Sequence, residues 1–366
     1  MSIRVIISGG GTGGHIFPAI SIANELKQRV EGIEILFVGA KGRMEMEKVP
    51  KAGYSIKGLN ISGLQRNWKD TRNLLFPFKL ISSLWKSYWI VKKYKPSVVV
   101  GTGGYASGPL LFAASKLSVP ALIQEQNSYP GITNKLLSKS VQKICVAYDN
   151  MQRFFPKEKL LLLGNPVRQD LLESDTKKEQ ALEKFKLNEK QPTVLVVGGS
   201  LGARTINQSI ASLAQDFEKN NVQVIWQTGL SFEKKAKEIC HNFKNVQAHA
   251  FIYEMDLAYS VADIIISRAG ASTISELCLI GKPAILVPSP NVAEDHQTKN
   301  AMALINKNAA LMVKDSEAQE RLGDTLFELL DNGASQKVLG ENIKKLAMPN
   351  SSVLIVDEVL KLVQEK

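Results

Sequence analysis

The stretch VIISGGGTGGHIFPAISIANEL, residues 5–26, sets Gly9, Gly10, Gly11, Gly13 and Gly14 between an apolar run and a helix-like segment. Glycines let backbone N–H groups approach a ligand closely. A helix start adds roughly half a positive charge, so the loop suits a phosphate. Gly9, Gly11 and Gly14 also satisfy G-x-G-x-x-G, the dinucleotide fingerprint. A dinucleotide domain, however, ends its second strand on an acid that binds the adenosine ribose. Here that strand, EILFVGAKG, ends in Gly39, Ala40, Lys41 and Gly42, which argues against NAD. Three more glycine loops follow apolar runs: GTGGYASGP (101–109), GGSLGA (198–203) and SRAGASTISEL (267–277). In open α/β sheets ligands collect at the carboxyl ends of strands, so these loops point to a cleft with phosphates on both walls. Tight packing of helix on strand would account for one or two of them, less well for all.

The third of those loops carries the richest set of groups. Its small residues and the hydroxyls of Ser272, Thr273 and Ser275 stand at a helix start, where they and the backbone amides would stabilise a departing diphosphate without a metal. Glu276 lies one turn further on; it either complements the helix dipole or accepts hydrogen bonds from a ribose. EDHQTKNA (294–301) adds an Asp-His-Gln cluster, alternatively a helix start capped by Asp295. GGSLG formally fits the G-x-S-x-G nucleophile elbow at Ser200, but no HGGG-type oxyanion motif accompanies it and the other glycine loops would go unexplained. No P-loop signature occurs, and His15, His241, His249 and His296 form no dense cluster with cysteines or carboxylates. No metal and no cofactor are expected.

The elements that position these groups are legible from hydrophobic pattern. The runs IRVIIS, EILFVG, SVVVGTGG, ALIQEQ and KICVAY, then TVLVVGG, QVIWQTG, ADIIISRAG and PAILVPS, alternate with helical segments, as in βαβ units with parallel sheets. VIISGGGTGGHIFPAISIAN and VLVVGGSLGARTINQSIASL match weakly, about 190 residues apart, and each opens one half of the chain. Two doubly wound domains are therefore expected, 1–164 and 165–350, breaking near Gly164–Asn165, where Asn165-Pro166 is a turn signal. The pattern at 351–366 is an amphipathic helix that must pack on something.

The chain of 366 residues is 44% hydrophobic and 22% charged, a globular composition. Cys145, Cys240 and Cys278 are odd in number and far apart, which fits buried thiols in a reducing compartment. MSIRVIISGG enters a strand at once, leaving no room for a signal peptide, and the apolar segment 74–91 contains Pro77, Lys79 and Lys86, so it is not expected to span a bilayer. Charge is uneven: residues 1–164 carry 23 basic and 9 acidic side chains, net +14, whereas the remainder is −3. The first half thus expects an anionic partner, whether nucleic acid, anionic lipid or a phosphorylated substrate. In 74–95, Phe76, Phe78, Ile81, Leu84, Trp85, Tyr88 and Trp89 mix with Lys79, Lys86, Lys92, Lys93 and Lys95. That composition suits a segment lying on an anionic bilayer, or a crossover helix turning Ile81, Leu84, Trp85 and Tyr88 toward a sheet.

GGTGGHIFPA, GTGGYASGP, EQN (125–127), GNPVR, VVGGSLGAR, SRAGASTISEL and DHQTKNA occur in this order along nearly the whole chain. Together they resemble the MurG family, bacterial N-acetylglucosaminyltransferases that make lipid II for peptidoglycan. The resemblance implies a GT-B fold, two Rossmann-like domains facing across a cleft, with the C-terminal helix returning to the first. It implies UDP-GlcNAc as donor, lipid I (undecaprenyl-pyrophosphoryl-MurNAc-pentapeptide) as acceptor, an anionic membrane surface and no nucleic acid as partner, and a peripheral place on the cytoplasmic face of the plasma membrane. Ile252 would meet the uracil and Glu276 the ribose. Ser200 and the turn Ala271, Ser272, Thr273, Ile274, Ser275 would hold the diphosphate. Gln297 would read sugar hydroxyls, Arg168 would join the nucleotide side, and Thr12, Gly13, Gly14 and Asn127 would close from the first domain. His296 stands where the family often has glutamine. The acceptor diphosphate would rest on Gly13–Gly14 and Gly103–Gly104. An α-linked donor and a β(1→4) product imply a single inverting displacement, with a base taking the proton of the acceptor's 4-hydroxyl. His15 is the first candidate base because imidazole titrates near neutrality, unless it merely pins its loop; Glu125 is the second.

Overall fold

The computed structural model describes residues 3–63, 75–167, 171–172, 176–199 and 202–365, and the chain divides into two compact units, 1–167 with 350–366 and 168–349. The first holds a seven-stranded sheet, β1 (Arg4–Gly9), β2 (Glu34–Ala40), β3 (Ser55–Leu59), β4 (Val98–Gly103), β5 (Ala121–Glu125), β6 (Lys143–Val146) and β7 (Leu160–Leu162). Its order is β3-β2-β1-β4-β5-β6-β7, and every pairing is parallel. Helices α1 (Gly13–Arg29), α2 (Glu45–Lys51), α3 (Phe76–Tyr94), α4 (Ser107–Lys116) and α5 (Ile132–Leu137) make the crossovers. Because both faces are covered, inner strands such as β1 and β4 read as unbroken apolar runs whose side chains are fully buried.

The second unit repeats the plan with β8 (Thr193–Val197), β9 (Gln223–Gln227), β10 (Val246–His249), β11 (Ile264–Ser267), β12 (Ala284–Leu286) and β13 (Leu311–Met312). The order is β10-β9-β8-β11-β12-β13, again all parallel. Its helices are α6 (Lys178–Phe185), α7 (Arg204–Ser212), α8 (Ala214–Lys219), α9 (Glu233–Asn242), α10 (Met255–Val261), α11 (Ala271–Ile280), α12 (His296–Ile305), α13 (Ala318–Leu330) and α14 (Gly333–Lys344). In each sheet the winding reverses between two neighbours, β1 and β4 in one and β8 and β11 in the other. Such switch points are where open α/β sheets bind ligands, since the diverging crossovers leave a crevice at the strand ends.

The last helix, α15 (Ser351–Gln364), belongs to the first unit. Ile355, Val356, Val359 and Leu362 are buried in one apolar cluster with Ile22 and Leu26 of α1 and with Val5, Ile7, Val98 and Val100 of the sheet. Arg29 reinforces the joint at its rim, donating to the Asp357 carboxylate at 2.7 Å and to the Val353 carbonyl at 3.2 Å. Truncating a fully buried Ile removes transfer energy and leaves a void. Ile355→Ala should therefore lower the unfolding free energy by about 2–5 kcal/mol in urea denaturation. A loss below about 1 kcal/mol would mean that this helix does not seal the sheet.

Candidate functional site

In the first unit the site forms where the ends of β1 and β4 meet. Their register shifts between Ser8 and Gly9, and Gly10 N–H reaches the Gly103 carbonyl at 3.3 Å, so the two glycine loops abut. The approach is too close for side chains. A Cβ on Gly104 would lie 2.3 Å from the Gly10 carbonyl oxygen, and one on Gly103, whose φ is +104°, would lie 2.8 Å from the His15 ring. Helix α1 starts at Gly13, with Thr12 as an N-cap residue whose side chain makes no capping bond and with no acid in the first turn. His15 and Ile16 N–H turn back to the Thr12 carbonyl, while Gly13 and Gly14 N–H make no bond among the described residues. These are open donors at a positive helix end.

Behind them lies a fully buried acid. Glu45, at the start of α2, accepts from Gly11 N–H and from Ala40 N–H, both at 2.9 Å, and fills the space a Cβ on Gly10 would need. It fixes the glycine loop to the end of β2. His15 is held on three sides. Thr102 Oγ1 donates to its carbonyl at 2.7 Å, Gly103 leaves room for the ring, and Nδ1 lies 2.8 Å from the Gln126 side-chain oxygen. The ring is thus bonded to a side chain, while the loop's backbone is pinned by Thr102. Glu125 faces inward. It is 1% exposed and accepts from Asn127 N–H and Nδ2, from Gly131 N–H and from Asn134 Nδ2 at 2.8–3.2 Å. With that set of donors it organises the loop after β5.

In the second unit the corresponding place is the β8/β11 switch point. Helix α11 begins at Ala271 after Gly270, again with no side-chain cap and no acid in its first turn. Ser272 Oγ is buried there without a hydrogen-bond partner among the described residues. Glu276 is half-buried in the second turn and accepts from the Tyr259 hydroxyl at 3.1 Å. Gln297, in the first turn of α12, accepts at its side-chain oxygen from Ala269 N–H at 3.3 Å and Ser289 N–H at 2.8 Å. That clamps the ends of β11 and β12 and leaves its amide NH2 unbonded among the described residues. Asp295 takes the Thr298 hydroxyl at 2.7 Å rather than a backbone N–H. Ile252 is buried, and its N–H is bound by the Gln227 side-chain oxygen at 2.9 Å. Gln227 also donates to the Gly199 carbonyl at 3.3 Å, joining the β8 and β10 loops. Arg168 and Ser200 lie outside the described residues.

Sequence reasoning overlooked Glu45, Thr102, Gln126, Gln227 and Tyr259. The glutamines had a signal, since each closes a continuous apolar run, ALIQEQ or QVIWQ, where an unpaired polar group would be costly. The thiolates of the three cysteines are disfavoured by their surroundings. Burial pushes the Cys145 thiol far above its ordinary value and the Cys278 thiol up to about 12.

Two family models match, the glycosyltransferase family 28 N-terminal domain over residues 5–146 and its C-terminal domain over 193–353. A protein of Flavobacterium psychrophilum is 56% identical over 363 residues, covering 99% of this chain and 98% of its own length. One of Bacteroides fragilis is 53% identical over 370 residues, covering 100% and 97%. Both are UDP-N-acetylglucosamine--N-acetylmuramyl-(pentapeptide) pyrophosphoryl-undecaprenol N-acetylglucosamine transferases. Among solved structures, MurG of Acinetobacter baumannii is similar at 30% identity and a TM-score of 0.80, over 98% of this chain and 99% of that one. The Gln227 clamp gives a direct check on the second site. Gln227→Leu leaves Ile252 N–H and the Gly199 carbonyl without partners, so urea denaturation should register a loss of roughly 1–3 kcal/mol. An unchanged midpoint would show that the clamp carries no stability.

Proposed function

This chain belongs to glycosyltransferase family 28, in its MurG branch, and from that premise we propose how its two switch-point sites divide the labour of lipid II synthesis. The enzyme transfers GlcNAc from UDP-GlcNAc to the 4-hydroxyl of MurNAc in lipid I, with inversion at the anomeric carbon. The observation that carries the donor assignment is α11. Its uncapped start offers amides and hydroxyls to a diphosphate, and Glu276 follows about 7.5 Å further along the axis, comparable with the reach from a diphosphate to the ribose hydroxyls. Ala271–Ser275 with Ser200 receive the diphosphate, Glu276 the ribose, and Arg168 the nucleotide side. Ile252 meets the uracil through its carbonyl, because Gln227 already occupies its N–H. Gln297 reads sugar hydroxyls with its unbonded NH2. As the glycosyl–phosphate bond breaks, the amides of α11 take up the charge that develops on UDP.

The first unit takes the acceptor. Gly13 and Gly14 N–H, with Gly103 and Gly104 beside them, hold its diphosphate, and Thr12 and Asn127 border the same loops. His15 is preferred to Glu125 as the base, since the carboxylate is enclosed by its own donors while the imidazole Nε2 has no partner among the described residues.

The same unit is proposed to rest on an anionic bilayer. Helix α3 turns Ser83, Ser87, Ile90 and Val91 inward and leaves Phe78, Ile81 and Trp85 exposed at 72%, 66% and 69%. Adjoining helices add Phe112, Ile132 and Leu136. Lys92 and Lys93 lie over the Trp89 ring at 5.1 and 6.0 Å. The proposed contact is peripheral; none of the described helices is long and apolar enough to cross a membrane. Rings favour the headgroup region and lysines attract anionic lipid.

Two measurements test these assignments. Glu276→Ala should raise the donor KM through loss of charge-assisted bonds of roughly 1.5–3 kcal/mol, with the acceptor KM little changed. An unchanged donor KM with a lower melting temperature would make Glu276 a structural acid. In vesicle flotation, the wild type should bind anionic vesicles, less so with added salt. Binding should fall further when Lys92, Lys93 and Lys95 become Gln, each lysine near the surface contributing about 1 kcal/mol. Equal binding to neutral vesicles would remove the electrostatic component, and no vesicle binding would remove the membrane role.

A further inference from the structure

The tautomer of His15 is fixed by a chain of side-chain amides whose direction only backbone carbonyls can set. Gln126 is 1% exposed. Its NH2 group faces the Thr102 carbonyl at 2.7 Å, the Gln124 carbonyl at 3.1 Å and the Gln124 side-chain oxygen. Carbonyl oxygens accept and never donate, so the opposite orientation of this amide would press oxygen against oxygen. Gln124 in turn donates to Asn165 Oδ1 at 2.8 Å, and Asn165 Nδ2 donates to the Gln126 backbone carbonyl at 3.1 Å, which fixes the polarity of those two amides in the same way. The Gln126 side-chain oxygen is therefore the atom that faces His15 Nδ1, and at 2.8 Å it requires a proton there. A neutral His15 must then carry its lone pair on Nε2. Free histidine prefers the other tautomer, so the protein reverses the intrinsic choice.

We propose that Gln126 is a positioning residue for the transfer reaction, holding His15 in the Nδ1–H tautomer so that Nε2 accepts the proton of the acceptor hydroxyl. This rests on the functional reading above and names the group that makes its base competent. In the step, the 4-oxygen of MurNAc forms a bond to the anomeric carbon of GlcNAc. The bond from that carbon to the UDP oxygen breaks with its electron pair going to the diphosphate. The hydroxyl proton passes to Nε2, giving an imidazolium whose Nδ1–H bond to Gln126 is unchanged, and later leaves to solvent. Gln126 touches neither substrate; it acts through His15.

Long-range 1H–15N correlation NMR on the full-length, 15N-labelled protein reads the tautomer directly, with the His15 signals assigned by their loss in His15→Gln. The neutral wild-type ring should show a protonated Nδ1 and an unprotonated Nε2. In Gln126→Leu it should shift toward the Nε2–H form, and kcat should fall at least about tenfold, within the roughly 10²–10⁴-fold contribution of a general base, while UDP affinity by calorimetry stays the same. An active wild type with its neutral proton on Nε2 overturns the proposal alone, whatever the variants do. Gln126→Leu with wild-type kcat overturns it too. Wild-type protein that transfers no GlcNAc to a lipid I analogue overturns the functional reading, and the proposal with it.

Discussion

Side-chain amides at the carboxyl ends of the strands hold this enzyme's strand-end loops in place. A loop that leaves a sheet covered on both faces carries backbone N–H and C=O groups that neither the ladder nor water can satisfy, and leaving them unpaired would cost more than a hydrogen bond returns. Gln126 closes β5 onto Thr102 of β4, Gln227 closes β9 onto both Gly199 and Ile252, and Gln297 joins Ala269 to Ser289. A glutamine suits this duty because one end donates and the other accepts. It can join two loops whose needs are opposite without bringing a charge into the interior.

That economy of charge suits the proposed role, because sites that receive diphosphates must stay open to anions. Both α1 and α11 start without an acid in their first turn and without a side-chain cap, an arrangement that forgoes about 1 kcal/mol of capping at each. The forgone bonds are the donors a diphosphate can use. Where the glycine loop does need an anchor, the acid is kept behind it. Glu45 is buried and spends its oxygens on Gly11 and Ala40, while Gly13 and Gly14 N–H make no bond among the described residues. In the second unit the acid that α11 itself carries is Glu276, placed beyond the first turn and steadied by Tyr259.

What was legible in the sequence follows from how completely each element is buried. The nine apolar runs read as strands are the interior strands β1, β2, β4–β6, β8, β9, β11 and β12. The four that escaped, β3, β7, β10 and β13, are the outermost strand on either side of each sheet. An edge strand is half-covered and short, so SIKGL and VQAH carry no continuous apolar signal. The glycine loops and His15 were visible because their chemistry lies in residue type. The groups that orient them were not, because the contacts by which Thr102, Gln126 and Glu45 hold His15 and the glycine loop are made across the fold, 87, 111 and 34 positions from their partners.

Helix α3 shows the opposite failure, a strong pattern that admits two readings. Its aromatic residues recur at helical spacing, which ordinarily marks the face turned to a core. The alternative that Ile81, Leu84, Trp85 and Tyr88 face the sheet holds only in part: Tyr88 packs against the core, but Ile81 and Trp85 are exposed while Ser83 and Ser87 are buried. Small serines let the helix pack closely against its neighbours, Ser83 giving its hydroxyl to the Asn60 carbonyl at 3.1 Å. Burying a large apolar side chain is worth about 1.5–3 kcal/mol, so folding alone gives no reason to leave several of them on the surface. Folding stability and the outward face of α3 are thus in opposition, and the bilayer contact proposed for this unit would resolve it. The apolar surface that folding leaves uncovered is the surface a bilayer can cover, on the unit whose glycine loops are assigned to the acceptor's diphosphate.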